Sequence, residues 1–263
     1  MYYTLVTGSS SGIGKALAIE CAARGMHVLL AALPGEELDD THNFISSNYR
    51  VNCHALPVDL SLPGSAEALY NRCKQNGYQV NMLINNVGLG SKGAFEKTSA
   101  AFYQTQIQLN ITTTCLLTRY FINDLQQHKP AYILNTGSLG GFFAMPHKAV
   151  YAASKAFVYT FSMSLALELK QAGIHVSVLC PGGVDTNANV RASNASLKGI
   201  ARKSILQPED VARQAITQML KGRHVIIPGA VNKMSYYAGR IIPSFIKNRL
   251  VLRAFKNLNK HNY

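Results

Sequence analysis

The sequence of 263 residues contains no C-x-x-C pair, and its five cysteines (Cys21, Cys53, Cys73, Cys115 and Cys180) are odd in number and scattered. Such an arrangement indicates neither a disulfide framework nor a metal site, and favours reduced, packed thiols in an intracellular protein. The opening "MYYTLVTGSS" lacks a basic stretch followed by a long apolar run, so no secretory signal is expected. No apolar segment reaches the roughly 18 residues of a membrane-spanning helix. The expectation is a cytoplasmic protein, at most peripheral to a membrane. Internal repeats, low-complexity tracts and Pro/Gly/Ser-rich linkers are also missing, so the chain reads as one domain large enough to bury a substantial core. Acidic residues stop at Asp210, after which ten Lys or Arg follow; the formal charge of +13 is therefore concentrated in the tail.

What is present is a regular alternation. Short apolar runs at 2–6, 27–31, 51–58, 81–85, 131–136, 175–180 and 224–228 read as strands. Being apolar throughout, they suit a parallel sheet covered on both faces. Helical patterns near 13–24, 36–47, 62–76, 99–128, 149–172 and 208–221 lie between them. The expected fold is α/β, a single-domain doubly wound parallel sheet of the Rossmann-like kind with a C-terminal amphipathic extension. The division expected is 1–232 for the nucleotide-binding catalytic part and 233–263 for the extension.

In such a sheet ligands bind beyond the carboxyl ends of the strands, so the residues just after each strand matter most. After the first strand comes "TGSSSGIGKALA", in which Gly8 permits a sharp turn, Gly12 lets backbone approach a pyrophosphate and Gly14 lets the next helix pack closely. Unpaired N–H groups at that helix start suit phosphate, with Ser10, Ser11 and Ile13 beside them. Asp59 and Leu60 follow the third strand; the carboxylate either meets an adenine amino group or caps the following helix. Asn86, Val87 and Gly88 follow the fourth strand, Ser138 the fifth, and Pro181, Gly182, Val184 and Thr186 the sixth. Tyr151 and Lys155 stand four apart on one helix, where residues are neighbours.

With these residues in order, the chain resembles the short-chain dehydrogenase/reductase family over nearly its whole length. Thr7–Gly14 match the family's phosphate loop, Asn85–Gly88 its N-N-x-G motif, and Ser138, Tyr151 and Lys155 its S-x12-Y-x3-K pattern. Pro181-Gly182 with Thr186 match its nicotinamide-side loop, and Asn110 stands where the family has a structural and proton-relay asparagine. The resemblance implies that Lys155 holds the nicotinamide ribose and that Asn110 holds a water linking Lys155 to solvent. The alternative for Asn110 is an amide that satisfies buried backbone.

The proton chemistry also stands on the residues themselves. Hydride transfer to a ketone leaves an alkoxide that must acquire a proton. A phenol with a pKa of roughly 10 is a poor partner near neutrality. One ammonium about 4 Å away, at an effective dielectric near 20, contributes on the order of 4 kcal/mol, or roughly three pKa units before desolvation. Tyr151 is thus the expected acid or base, lowered by Lys155, with Ser138 bonding the substrate oxygen.

The second strand ends "LLAALPGEEL", with Ala32 and Leu33 where an NAD-preferring chain places an acid. The missing acid leans toward NADP(H), with the hydroxyls of Ser9 to Ser11 as phosphate donors, although no arginine is present to welcome the 2′-phosphate. Carbonyl reduction of an apolar or lipid-like substrate is the expected direction. Phe142, Phe143, Met145 and Pro146 either line its pocket or pack in the core. Segment 187–207 lies where the family keeps a mobile lid. The tail mixes Ile241, Ile242, Phe245, Ile246, Leu250, Leu252 and Phe255 with Lys247, Arg249, Arg253, Lys256 and Lys260. That pattern fits either an interfacial helix on anionic lipid or a helix packed on a partner or over the cleft. No recognition motif accompanies the basic residues, which argues against nucleic acid. From the resemblance, a homo-oligomer (dimer or tetramer) forms through 99–128 and 149–172. The rival from another class is a nucleotide-binding regulatory protein without turnover.

Overall fold

Seven parallel strands form one sheet in the order β3-β2-β1-β4-β5-β6-β7. They are β1 (Tyr2–Thr7), β2 (His27–Ala32), β3 (Cys53–Pro57), β4 (Gln79–Asn85), β5 (Ala131–Thr136), β6 (Ile174–Leu179) and β7 (Val225–Ile226). This computed structural model describes residues 1–91, 93–195, 199–243, 245, 246, 249, 251 and 252. The single doubly wound domain expected from the alternation is what forms. The third and seventh strands are shorter than their apolar runs, because pairing with β2 begins at Cys53 and pairing with β6 covers two residues of β7.

Both faces are covered, which is why the strand sequences do not alternate in polarity. Leu30 faces one core cluster and its neighbour Leu29 the other. On the first face pack α1 (Gly12–Ala23), α2 (Glu36–Asn48) and α9 (Pro208–Leu220), through Leu17, Leu38 and Ile216 among others. On the second pack α3 (Ser65–Gln75), α5 (Thr113–Gln127) and α6 (Ala149–Glu168), with Phe121 fully buried. The order reverses between β1 and β4, so a crevice opens beyond their carboxyl ends. The buried thiols Cys21, Cys53, Cys73 and Cys180 are pushed up to about 12 by burial, consistent with inert packing.

The stretch 99–128 is two helices and not one. α4 (Ala100–Ile107) passes through a π-helical turn, Gln108–Thr112, into α5. The apolar periodicity is blind to that extra residue, which lets the buried Asn110 side chain turn toward the loop after β4. The lid segment, expected as an irregular loop, contains α7 (Ala188–Ala195) and α8 (Gly199–Lys203); residues 196–198 lie outside the description. Helix α10 (Ala230–Ile241) starts before the expected boundary at 232 and sends Tyr236 into a core cluster with Leu139 and Val158. The extension therefore begins inside a packed element. Its residues Lys247, Leu250 and 253–263 lie outside the described residues.

Candidate active site

A cleft of about 560 Å³ runs along the crevice, from Gly8, Ser10, Ser11, Gly12, Ile13 and Gly14 at one end to Pro181, Gly182, Val184 and Thr186 at the other. Between them it is walled by Leu33, Asp59, Leu60, Asn86, Val87, Gly88, Ser138, Tyr151 and Lys155. Eighteen residues were expected around a cofactor, and this cleft is lined by all of them; Asn110, expected as a relay, stands behind the wall. Thr136, Leu109, Leu89, Gly90 and Asn187 also line it. They contribute mostly backbone or an aliphatic surface, and so carry no chemical signature in the sequence.

The glycines shape the cradle. Gly14 has no room for a side chain, since a Cβ there would lie 2.0 Å from the Gly8 carbonyl oxygen and 2.5 Å from Asn86 Nδ2. Gly12, at φ +53, faces Thr186 across the cleft, where a Cβ would come within 3.1 Å of the Thr186 Cβ. Thr7 is the clamp between the loops: its Oγ1 accepts the N–H groups of Asn86 at 2.9 Å and Val87 at 3.1 Å. Asn86 Nδ2 in turn donates to Thr7 O at 3.1 Å. The loops after β1 and β4 are thus fixed on each other, leaving the N–H groups at the start of α1 toward the cleft. An open groove with backbone in close approach and a helix N-terminus at one end fits a dinucleotide.

Two expectations about the adenosine end change. Ser9 is fully buried with its hydroxyl unpartnered, so only Ser10 and Ser11 present hydroxyls to the cleft. Asp59 caps a tight turn and not a helix: its Oδ1 accepts from Ser61 N at 2.9 Å and Ser61 Oγ at 2.6 Å, while α3 starts later, at Ser65.

At the other end, Tyr151 and Lys155 stand on the inner side of α6, drawn onto the loop after β5 because Gly141 lets that loop lie against the helix backbone. A Cβ at Gly141 would be 2.7 Å from the Lys155 carbonyl carbon. Ser138 Oγ accepts from Gly140 N at 3.0 Å, and its hydroxyl is close enough to the Tyr151 phenol to draw the phenol's pKa down. Lys155 Nζ donates to Thr136 O at 2.8 Å and sits 5.9 Å from the centre of the Tyr151 ring.

The electrostatics differ from the sequence estimate. Burial raises the Tyr151 phenol above its ordinary value, opposed by the bond from Ser138. Burial also pulls the Lys155 ammonium down to about 8. The ammonium lies beside the ring and is held by a carbonyl, and desolvation of both groups exceeds the attraction expected of a solvated pair. The surroundings therefore raise the phenol instead of lowering it.

Asn110 is committed to backbone. Its Oδ1 accepts from Leu89 N at 2.7 Å, and its Nδ2 donates to Leu89 O at 3.1 Å and Ser154 Oγ at 3.0 Å. Gly88 runs between this amide and the lysine: a Cβ there would be 2.9 Å from Asn110 Oδ1 and 3.4 Å from Lys155 Nζ. Phe142 packs against Tyr159 and Tyr236, each at 4.8 Å between ring centres, and also lines an apolar groove. Phe143, Met145 and Pro146 border the same groove, which is separate from the cleft and of about 710 Å³, on the outer side of α6, with Val251 and Leu252.

The family model described as "short chain dehydrogenase" matches residues 3–197 of this chain. The chain belongs to that family. Among curated relatives, the very-long-chain 3-oxoacyl-CoA reductase-A of Danio rerio is 33% identical over 190 residues, covering 70% of this chain and 58% of that protein. This chain thus spans under two thirds of that relative. Among solved structures, a short-chain dehydrogenase from Sphingobium yanoikuyae in complex with NADPH superposes with a TM-score of 0.80 at 28% identity, over 90% of this chain and 92% of that one. One from Burkholderia phymatum in complex with NAD gives 0.78 at 24% identity, over 91% and 92%, a likeness of fold. The chain is a nicotinamide-dependent oxidoreductase of the hydride-transferring kind.

Proposed function

We propose that this short-chain dehydrogenase reduces an apolar, lipid-like ketone with NADP(H), using Tyr151 as proton donor, Ser138 as the group that bonds the substrate oxygen and Lys155 as the cation beside both. One observation carries the reading: Tyr151, with Ser138 and the buried ammonium of Lys155 beside it, lines the end of a cleft whose other end is the glycine cradle. Bound nicotinamide supplies the hydride. Tyr151 delivers the proton to the alkoxide, and Ser138 stabilises the charge that develops there. A lysine held near 8 exchanges protons close to neutrality and suits a relay behind the phenol. The Asn110 side-chain amide is occupied by Leu89 and Ser154, so its part is to anchor the π-helical turn to the loop after β4.

The NADP(H) preference is supported by Ala32 and Leu33, which leave no carboxylate at the end of β2 to repel a 2′-phosphate, and by the cleft-facing Ser10 and Ser11. Against it stand Glu36, Glu37 and Asp39 in the first turn of α2. Titration with NADPH and NADH, followed by a carbonyl panel including long-chain 3-ketoacyl compounds, tests both halves. NADPH is expected to bind at least about tenfold more tightly, a difference of about 1.4 kcal/mol. A clear NADH preference, or turnover confined to small polar carbonyls, reverses the respective half.

For the C-terminal extension we propose contact with an anionic membrane surface. In its described part Met234, Tyr237, Ile241, Phe245 and Leu252 are 52% to 83% exposed, Lys233 and Arg249 are exposed, and no acid follows Asp210. Apolar side chains flanked by cations suit anionic lipid. Vesicles containing anionic lipid are expected to sediment the full chain and to leave behind a chain ended after Ile242, which keeps α10 and the buried Tyr236. Equal sedimentation of the two removes the proposal. Self-association through α4, α5 and α6 remains the reading for oligomers, supported by the exposed Ile107 and the stacked pair Phe157 and Phe161.

A further inference from the structure

One buried carboxylate beside the cleft has no part in the chemistry above. Asp185 stands between Val184 and Thr186, both cleft-lining, and is 3% exposed. A carboxylate withdrawn from water requires partners, and those it has come from the segment that follows it. Asn194 Nδ2, on α7, donates to Oδ1 at 2.8 Å; Gln207 Nε2 donates to Oδ2 at 3.1 Å; Arg202 Nη1, on α8, lies 3.7 Å from Oδ2. Main chain joins the same pieces: Asp185 N donates to Leu206 O at 3.1 Å, and Leu206 N to Gly183 O at 3.1 Å. The bond from Asn194 leads in holding the carboxyl below its ordinary range, with Gln207, Arg202 and Arg191 adding to it. Residues 187–207 contain no Asp or Glu, so this segment offers its own cations and amides no other acid.

The three partners are separated in sequence and lie on two different helices and a connector. A surface loop would not need one buried anion to collect them. The anion, moreover, sits within the 182–186 loop that forms one wall of the cleft.

The geometry points to Asp185 as a latch: a positioning residue that ties α7, α8 and the chain before α9 to the cofactor-side loop, and so sets how long a nicotinamide dinucleotide stays bound. The inference rests on the reading of the cleft as a dinucleotide site. It assigns Asp185 no contact with the reacting atoms.

The test measures NADPH release by fluorescence, with excess NADP⁺ as the chase, in full-length wild type, Asp185→Ala, Asp185→Asn and Asn194→Ala. Asp185→Ala is expected to speed release and raise the NADPH Kd by about tenfold, in line with losing hydrogen bonds to a charged group. Asn194→Ala, which keeps the carboxylate and removes one tie, is expected to give a smaller change, about two- to threefold. Asp185→Asn keeps the shape with one acceptor and falls between. Hydride transfer in a single turnover, started from the preloaded complex, should stay within about twofold, because orientation at Tyr151 and Ser138 is untouched. Trypsin should cut after Arg191 or Arg202 sooner in the variants. If Asp185→Ala fails to fold, Asn194→Ala carries the comparison. Unchanged release in the folded variants overturns the latch, as does a single-turnover rate that falls as far as affinity. A wild type that binds neither NADPH nor NADH overturns the reading of the cleft instead.

Discussion

Tyr151→Phe is expected to lower kcat by about 10²- to 10⁴-fold, the range supplied by a positioned general acid, with NADPH affinity within a few-fold of wild type. The substitution removes one oxygen. The ring keeps its packing, Lys155 keeps its bond to Thr136 O, and the glycine cradle at the far end of the cleft is not touched. What disappears is the proton that a ketone reduced by hydride must receive. Burial raises the phenol, so the wild-type hydroxyl carries its proton across the neutral range. Steady-state kinetics with a responsive ketone, paired with an NADPH titration, separates the two effects. Residual turnover within about tenfold of wild type would remove Tyr151 from the chemistry. The rival reading, a nucleotide sensor, predicts no turnover in either protein and the same binding in both.

Gly14→Ala is expected to disrupt the molecule and not just the site. A methyl there would lie 2.0 Å from the Gly8 carbonyl oxygen, which is main chain, and 2.5 Å from Asn86 Nδ2. Neither can step aside without undoing the Thr7–Asn86 clamp between the loops after β1 and β4. Overpacking in cores costs about 1–3 kcal/mol where side chains can shift, and a backbone clash belongs at or above the upper end. At roughly 2–4 °C per kcal/mol for a domain near this size, the melting point should fall by about 10 °C, with dinucleotide binding lost. Gly12→Ala makes the useful contrast. Its obstacle is the Thr186 side chain at 3.1 Å plus a φ of +53, so binding should weaken while most of the fold's stability survives. Thermal melts with and without NADPH read both variants. A Gly14→Ala protein that melts within a degree or two of wild type would show that the close approach is not structural.

Much of the fold and site was legible because parallel α/β packing leaves a direct trace in sequence. Strands buried on both faces are short apolar runs, as in β2 and β4, and each must be followed by a turn that exposes its next residues at one end of the sheet. Read in order, those turns bring Gly12, Asn86, Ser138 and Thr186 to one end of the sheet, where one cleft gathers them with Tyr151. The glycines were readable for a related reason: only a residue without a side chain fits where Gly14 meets Gly8. Residues that line the cleft with backbone, such as Gly90 and Thr136, left no such trace.

By itself, then, the sequence determined the doubly wound sheet, the end of it that holds the ligand, and the residue types that meet there. These follow from local patterning, in which periodicity, turn chemistry and spacing along one helix act over a few residues at a time. Only the tertiary structure decided that burial raises the Tyr151 phenol and lowers Lys155, that a π-helical turn commits the Asn110 amide to Leu89, that Ser9 is out of reach, and that Asp185 gathers Asn194, Arg202 and Gln207 around itself. Each of these depends on how much water is excluded around a polar group and on which distant segment reaches it. Desolvation and long-range pairing are properties of the packed chain and have no counterpart in residue order.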